Sequence, residues 1–321
     1  MARECKSVRS IYGKTLVELG KANNNIVVLD ADLSCSTQTQ IFAKEFPQRF
    51  FNVGIAEQDL MTTAAGLACT GKTPFVSTFA MFASGRAWEQ IRNTICYSNL
   101  NVKIAATHGG ITVGEDGASH QALEDISLMR SIPNMTVIIP ADATETKRAI
   151  EYAAEHYGPF YIRIARTSLP DIFDETQYPQ ENIIKSQILR EGKDVTLITN
   201  GETLVETLDC AKILEDSGIS AQVINVPCIK PLDKTNIILS AKKTNRVITI
   251  ENHSIIGGLG SSICEILSEE YPVKISRIGI NDQFGQSGKA KELMNFYGLN
   301  SEKLTQKILG LIKDDSTQKR L

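Results

Sequence analysis

The chain has 321 residues, 42% apolar and 22% charged, which is the balance of a folded globular protein with room for two domains. A net charge of −3 gives no basis for nucleic acid or an acidic membrane surface as partner, and no run approaches the roughly 20 apolar residues a membrane span needs. Seven scattered cysteines without a Cys-x-x-Cys pair argue against a disulfide framework or a zinc site, and an N-terminus without an apolar signal core leaves a cytoplasmic setting as the expectation.

In chain order, β-branched runs at residues 26–29, 50–53, 74–79, 102–107, 136–139 and 160–164 alternate with helical patterns at 57–69, 87–97, 121–130 and 143–156. That alternation predicts a mostly parallel sheet covered by helices, an α/β domain over residues 1–170. Ala87, Ile91 and Ile95 recur four apart, as one face of a helix requires. Proline and acidic residues without a period then predict a linker over 171–187. A second alternating block, with strands at 195–199, 221–226, 246–250 and 273–278, predicts a smaller α/β domain over 188–312 and a polar tail at 313–321.

Three segments stand out, each at a strand end, where doubly wound folds bind ligands. The first runs from Thr107 to Gln121, with four glycines and with His108, Asp116 and His120 as hydrogen-bonding and proton-transfer groups. A solvated surface loop is its plain alternative. The second is Gly54-Ile55-Ala56-Glu57-Gln58, where small apolar neighbours would desolvate Glu57 and let it hold a proton near neutral pH. A glutamate that satisfies free N–H groups in a first helical turn looks the same. The third, Ser77 to Phe82, carries Phe79 and Phe82, either core or a platform for a flat heterocycle.

No Gly-x-Gly-x-x-Gly follows a strand and there is no phosphate-binding Walker loop. Gly257-Gly258-Leu259-Gly260 resembles an anion-binding helix start, though a tight turn with close helix packing explains it as well, and His253 reads as structural.

Taken together, Ile55-Ala56-Glu57-Gln58, Ala65-Gly66-Leu67-Ala68, Ser77-Thr78-Phe79 and Gly114-Glu115-Asp116-Gly117 with Ser119-His120-Gln121 resemble the transketolase family, in this order and spacing. The resemblance spans essentially the whole chain and corresponds to the second half of a full-length transketolase, its pyrimidine-binding and C-terminal domains. It implies thiamine diphosphate as cofactor, with Mg2+ or another divalent cation. Glu57 is implied to bond the cofactor's aminopyrimidine so that the thiazolium carbon can lose its proton, and Phe79 and Phe82 to pack on that ring. A third aromatic found in many relatives is Gly85 here. Asp116 and His120 match groups that contact the donor sugar, and Arg9, Ser36, His108 and Arg166 match the set that holds a substrate phosphate, for which arginine forks are suited.

The family's Gly-Asp-Gly motif for the diphosphate and metal is missing from the sequence, so no metal ligand is expected here. The resemblance therefore implies a split enzyme. An N-terminal partner subunit would hold the diphosphate and metal, this chain would self-associate into an α2β2 assembly, and the substrates would be sugar phosphates. Rival readings are a β subunit of a 2-oxo acid dehydrogenase, a deoxyxylulose-phosphate-synthase-like enzyme, and a regulatory or scaffold homologue.

Overall fold

The computed structural model describes residues 4–318 and contains two α/β units, each on a mostly parallel sheet flanked by helices. Among the described residues, the larger sheet has seven strands in the order Cys228–Lys230, Thr136–Ile138, Phe160–Ile164, Lys103–Thr107, Thr73–Phe79, Ile26–Asp30 and Phe50–Asn52. Every residue of its four inner strands from Phe160–Ile164 to Ile26–Asp30 is buried, as helices on both faces dictate, which is why these strands read as mostly apolar runs without alternation, Arg163, Lys103 and Asp30 being buried charged exceptions. Six strands are mutually parallel, and Cys228–Lys230, sent across from the second half, joins antiparallel. Phe79 lies opposite Thr107, Thr107 opposite Ile164, and Asp30 opposite Ser77, so the carboxyl ends of the inner strands meet at one edge.

The smaller sheet orders Ile275–Ile280, Val247–Ser254, Val195–Thr199, Ala221–Asn225 and the antiparallel edge Gln187–Arg190. The helix Thr203–Asp216 packs against Ser301–Gln318, with Leu204, Leu214, Leu304 and Ile308 all buried between them.

Several expectations shift. Ala87, Ile91 and Ile95 do form a buried face, but Phe82–Arg86 and Gln90–Cys96 are wound as wider π-helical stretches. The helix expected from residue 121 begins at Asp125, because Ala122 instead bridges Gly109 and accepts from the Gly110 N–H at 2.9 Å. The proline-rich connection is fastened to the first unit: Asp142 accepts from the Ile172 and Phe173 N–H groups at 2.9 and 2.8 Å, and Tyr178 and Ile183 are buried. The helix Ser301–Gln318 runs on into the stretch read as a polar tail, although its packed apolar face ends at Ile312; residues 319–321 lie outside the described residues.

Candidate active site

Five neighbouring parallel strands deliver the site. Ser36 lies in the turn after Ile26–Asp30, Glu57 follows Phe50–Asn52, Phe79 ends Thr73–Phe79, His108 follows Lys103–Thr107, and Arg166 follows Phe160–Ile164. Side chains far apart in sequence thus converge on one edge of the sheet.

Glu57 opens the helix Glu57–Cys69 and is only 4% exposed. The apolar flank expected to desolvate it is not there: Ile55 is 76% exposed. Burial comes from the fold around the helix start, and the carboxylate is met by Arg86, whose Nη1 donates to Oε1 at 3.0 Å and to Oε2 at 3.2 Å. The Arg86 guanidinium also lies over the Phe82 ring, 4.1 Å from its centroid. Gly85, beside it, is exposed.

Behind this cradle the rings continue. Phe79 stacks on Phe82 at 5.8 Å and on His108 at 3.8 Å, and His120 stands edge-on to Phe82 at 5.3 Å. His108 sits in the left-handed region (φ 64°), a conformation a histidine adopts only where its surroundings enforce it. Its Nδ1 lies 2.7 Å from the Thr107 hydroxyl. Burial first, then the charges of Arg9 and Arg166, push the imidazole down to about 3, so the ring is neutral at physiological pH. His120 is half-buried, with Nδ1 3.0 Å from the Ser119 hydroxyl, and Asp116 is exposed.

Arg9 and Ser36 come together with Arg166 beside His108. Arg9 Nε donates to the Arg166 carbonyl at 3.1 Å and its Nη1 to the Ser36 carbonyl at 2.5 Å. The turn carrying Ser36 is pinned by buried Asp30, which accepts from the Leu33 N–H at 2.6 Å and the Thr37 and Thr39 hydroxyls at 2.7 and 2.8 Å. Burial and the neighbouring Arg166 charge both lower the Arg9 pKa, and Arg166 Nη1 itself meets Glu115 at 3.5 Å.

The second unit secures the glycine-rich loop from behind. Asn252 Oδ1 accepts from the Ile111 N–H at 3.0 Å, Glu202 accepts from the Thr112 hydroxyl at 2.9 Å, and Asn252 Nδ2 donates to Glu202 in turn. Buried Arg163 donates to Asp125 at 2.8 Å and to the Ala122 and Asn252 carbonyls at 3.1 Å. Gln121 Nε2 reaches the Gln286 carbonyl at 2.9 Å. Gly110, with φ 80°, lies so close to Asn252 that a Cβ there would stand 2.4 Å from its amide nitrogen.

The Gly257–Gly260 turn is already occupied. Glu251, fully buried, accepts from the Leu259 and Gly260 N–H groups at 2.7 and 2.9 Å, so an internal carboxylate fills the helix start. His253 is buried alongside and bonds the Ser254 carbonyl at 2.7 Å, in keeping with a structural role.

Two residues escaped sequence reasoning. Arg163 is a cation within the apolar strand Phe160–Ile164, and a charge in a strand buried on both faces was the signal that it must have a partner. Arg86 follows directly on Gly85, where the third aromatic was expected. Among the described residues, no group of three or more His, Cys, Asp or Glu could hold a metal, and no helix is long and apolar enough to cross a membrane.

Comparison with known proteins finds a family match for each part of the chain. Residues 5–171 match the transketolase pyrimidine binding domain and residues 184–304 the transketolase C-terminal domain. A protein of Methanocaldococcus jannaschii named for the transketolase C-terminal section is 52% identical over 97% of this chain and 98% of its own length. A subunit of 6-deoxy-6-sulfo-D-fructose transketolase from Clostridium sp. (strain MSTE9) is 38% identical over 93% of this chain and 92% of its own. The solved structure of a split-gene transketolase, described as an inactive beta4 tetramer, superposes with a TM-score of 0.87 at 51% identity, over 94% of this chain and 97% of that one.

Proposed function

The chain belongs to the transketolase family, and on that premise we propose that it is the C-terminal subunit of a split transketolase that moves a two-carbon ketol unit between sugar phosphates. The observation that carries the proposal is the buried Glu57 carboxylate set beside the Phe82 ring face. A carboxylate at one edge and an aromatic face beneath is the donor set an aminopyrimidine requires, so the residues fit thiamine diphosphate. When bound, that cofactor supplies the carbanion chemistry that breaks and forms the bond next to the ketone.

The chain's own residues do the rest. Glu57, only 4% exposed at the start of its helix, meets the pyrimidine nitrogen with its carboxyl group and shares a proton with it there. Phe79 and Phe82 hold the ring, while Asp116 and His120 face the donor's hydroxyls. Arg9 and Arg166, with Ser36, receive the sugar's phosphate by paired guanidinium hydrogen bonds. Neutral His108, its Nδ1 taken up by the Thr107 hydroxyl, leaves Nε2 to the same phosphate without adding a third charge. An N-terminal subunit holds the diphosphate and its Mg2+, two copies of each chain form the assembly, and the enzyme works in the cytoplasm.

The test is reconstitution. The purified chain alone should show no ketol transfer, and the N-terminal subunit with thiamine diphosphate and Mg2+ should restore it with xylulose 5-phosphate, not pyruvate, as donor. In that complex Glu57→Gln should reduce turnover by roughly 10²- to 10⁴-fold, the usual span for losing a proton-transfer group, with folding unchanged. Turnover by the isolated chain, or a Glu57→Gln complex that keeps most of its activity, overturns the reading.

A further inference from the structure

Arg86 satisfies the Glu57 cradle in a way that matches the ligand proposed for it. A carboxylate with 4% of its side chain exposed is costly to leave uncompensated, and the Arg86 guanidinium supplies both the charge and the donors. The group is flat, directs N–H donors at Glu57 and lies over the Phe82 ring, 4.1 Å from its centroid. Those are the three features of an aminopyrimidine in this cradle: a planar body, a donor edge toward the carboxyl, and a face on the ring. The winding explains how one residue meets both demands. Phe82 and Arg86 lie four apart in one helical stretch, a spacing that sets both side chains on the same side. Gln58 Nε2 bonds the Arg86 carbonyl at 3.2 Å, which fixes the backbone while the side chain remains 53% exposed. The guanidinium can therefore leave for solvent without disturbing packed chain.

We infer that Arg86 is a built-in placeholder, which keeps Glu57 compensated and the cradle open in the cofactor-free chain and is displaced when the aminopyrimidine arrives. The inference rests on the reading of Glu57 and Phe82 given above. It makes Arg86 a positioning residue that competes with the cofactor, the opposite of a contact that helps to hold it.

The experiment measures thiamine diphosphate affinity, by equilibrium titration in the presence of Mg2+, for the complex of this chain with its N-terminal subunit. It also measures the thermal midpoint of the cofactor-free chain. Removing a half-exposed ion pair by Arg86→Ala should tighten cofactor binding by roughly three- to tenfold and lower the cofactor-free midpoint, whereas Arg86→Lys should lie between it and the wild type on both. In a Glu57→Gln background Arg86→Ala should give no further gain. Weaker binding in Arg86→Ala would make Arg86 a cofactor contact, and unchanged affinity would make the pair incidental; either result overturns the placeholder. Failure of the underlying reading looks different: Glu57→Gln would then bind thiamine diphosphate as well as the wild type, whatever Arg86 does.

Discussion

Two arginine–carboxylate pairs frame the site and are built in opposite ways. Arg163 and Asp125 are 6% and 0% exposed and meet at 2.8 Å, with Tyr161 donating to the same carboxylate oxygen at 2.8 Å and two backbone carbonyls taking further guanidinium donors. Arg86 and Glu57 are 53% and 4% exposed and meet at 3.0 Å, with one side of the guanidinium in solvent. The first pair ties the glycine-rich loop to the second domain and cannot open without stranding buried charge. The second can open, because its guanidinium already faces solvent and another donor can take its place at the carboxylate. The proposed function gives each property a use: a fixed frame for the loop that carries Asp116 and His120, and one replaceable contact beside Glu57.

The contrast breaks first at Arg163. Arg163→Met leaves Asp125 buried without its cation, and the expected loss is about 3–5 kcal/mol of unfolding free energy, read as a lower denaturant midpoint with unchanged slope. Arg86→Ala in the same assay should cost less, because solvent reaches the place the guanidinium vacates beside Glu57. Equal losses would mean that exposure does not separate the two pairs.

Glycines sharpen the same comparison on a smaller scale. A methyl group at Gly110 must accept a left-handed backbone and a 2.4 Å approach to Asn252, so Gly110→Ala should destabilise by about 1–3 kcal/mol and raise the KM for the sugar phosphate more than it lowers kcat. At Gly85 the nearest atom to a new Cβ is the flexible end of Met81 at 3.1 Å, and Gly85→Ala should stay within about 0.5 kcal/mol of the wild type. A Gly110→Ala protein as stable as Gly85→Ala would show that the loop is not held by Asn252.

Much of this was legible in the sequence. Buried parallel strands are mostly apolar runs without alternation, so the inner strands could be read almost to the residue, and because they run parallel, motifs at their carboxyl ends had to converge. What stayed hidden was decided by contacts between distant segments. Sequence periodicity cannot register that Cys228–Lys230 crosses over to the first sheet, or that Asn252 and Gln286 reach back to hold the loop. Ile55 shows the opposite failure: an apolar neighbour suggested shelter for Glu57, yet the turn directs it to solvent and leaves the shelter to the fold around the helix start.

Glu145 offers the finest test, because it is a buried carboxylate held by neutral donors at the seam between the two domains. Tyr178 from the connection donates to Oε1 at 2.8 Å, Asn225 from the second sheet to the same oxygen at 2.7 Å, and the Ala141 N–H to Oε2 at 2.9 Å. Burial, reinforced by the charge of Asp142, outweighs these bonds and raises its pKa to about 8. At neutral pH the folded chain therefore keeps a proton here that the unfolded chain, with an ordinary value near 4.5, has shed. The sign follows: this contribution to stability is fully present below about pH 4.5, declines as the pH rises towards about 8, and is gone above it, with a slope of at most about 1.4 kcal/mol per pH unit. Turning the Asn225 amide would present its buried, unpartnered Oδ1 to that proton. Glu145→Gln offers an N–H in the same place at every pH, so the difference in unfolding free energy between variant and wild type should widen in favour of the variant from pH 5 to pH 8. A difference that stays flat over that range would mean that Glu145 is ionised in the folded protein and that the seam, like the Glu57 cradle, finds its compensating charge elsewhere.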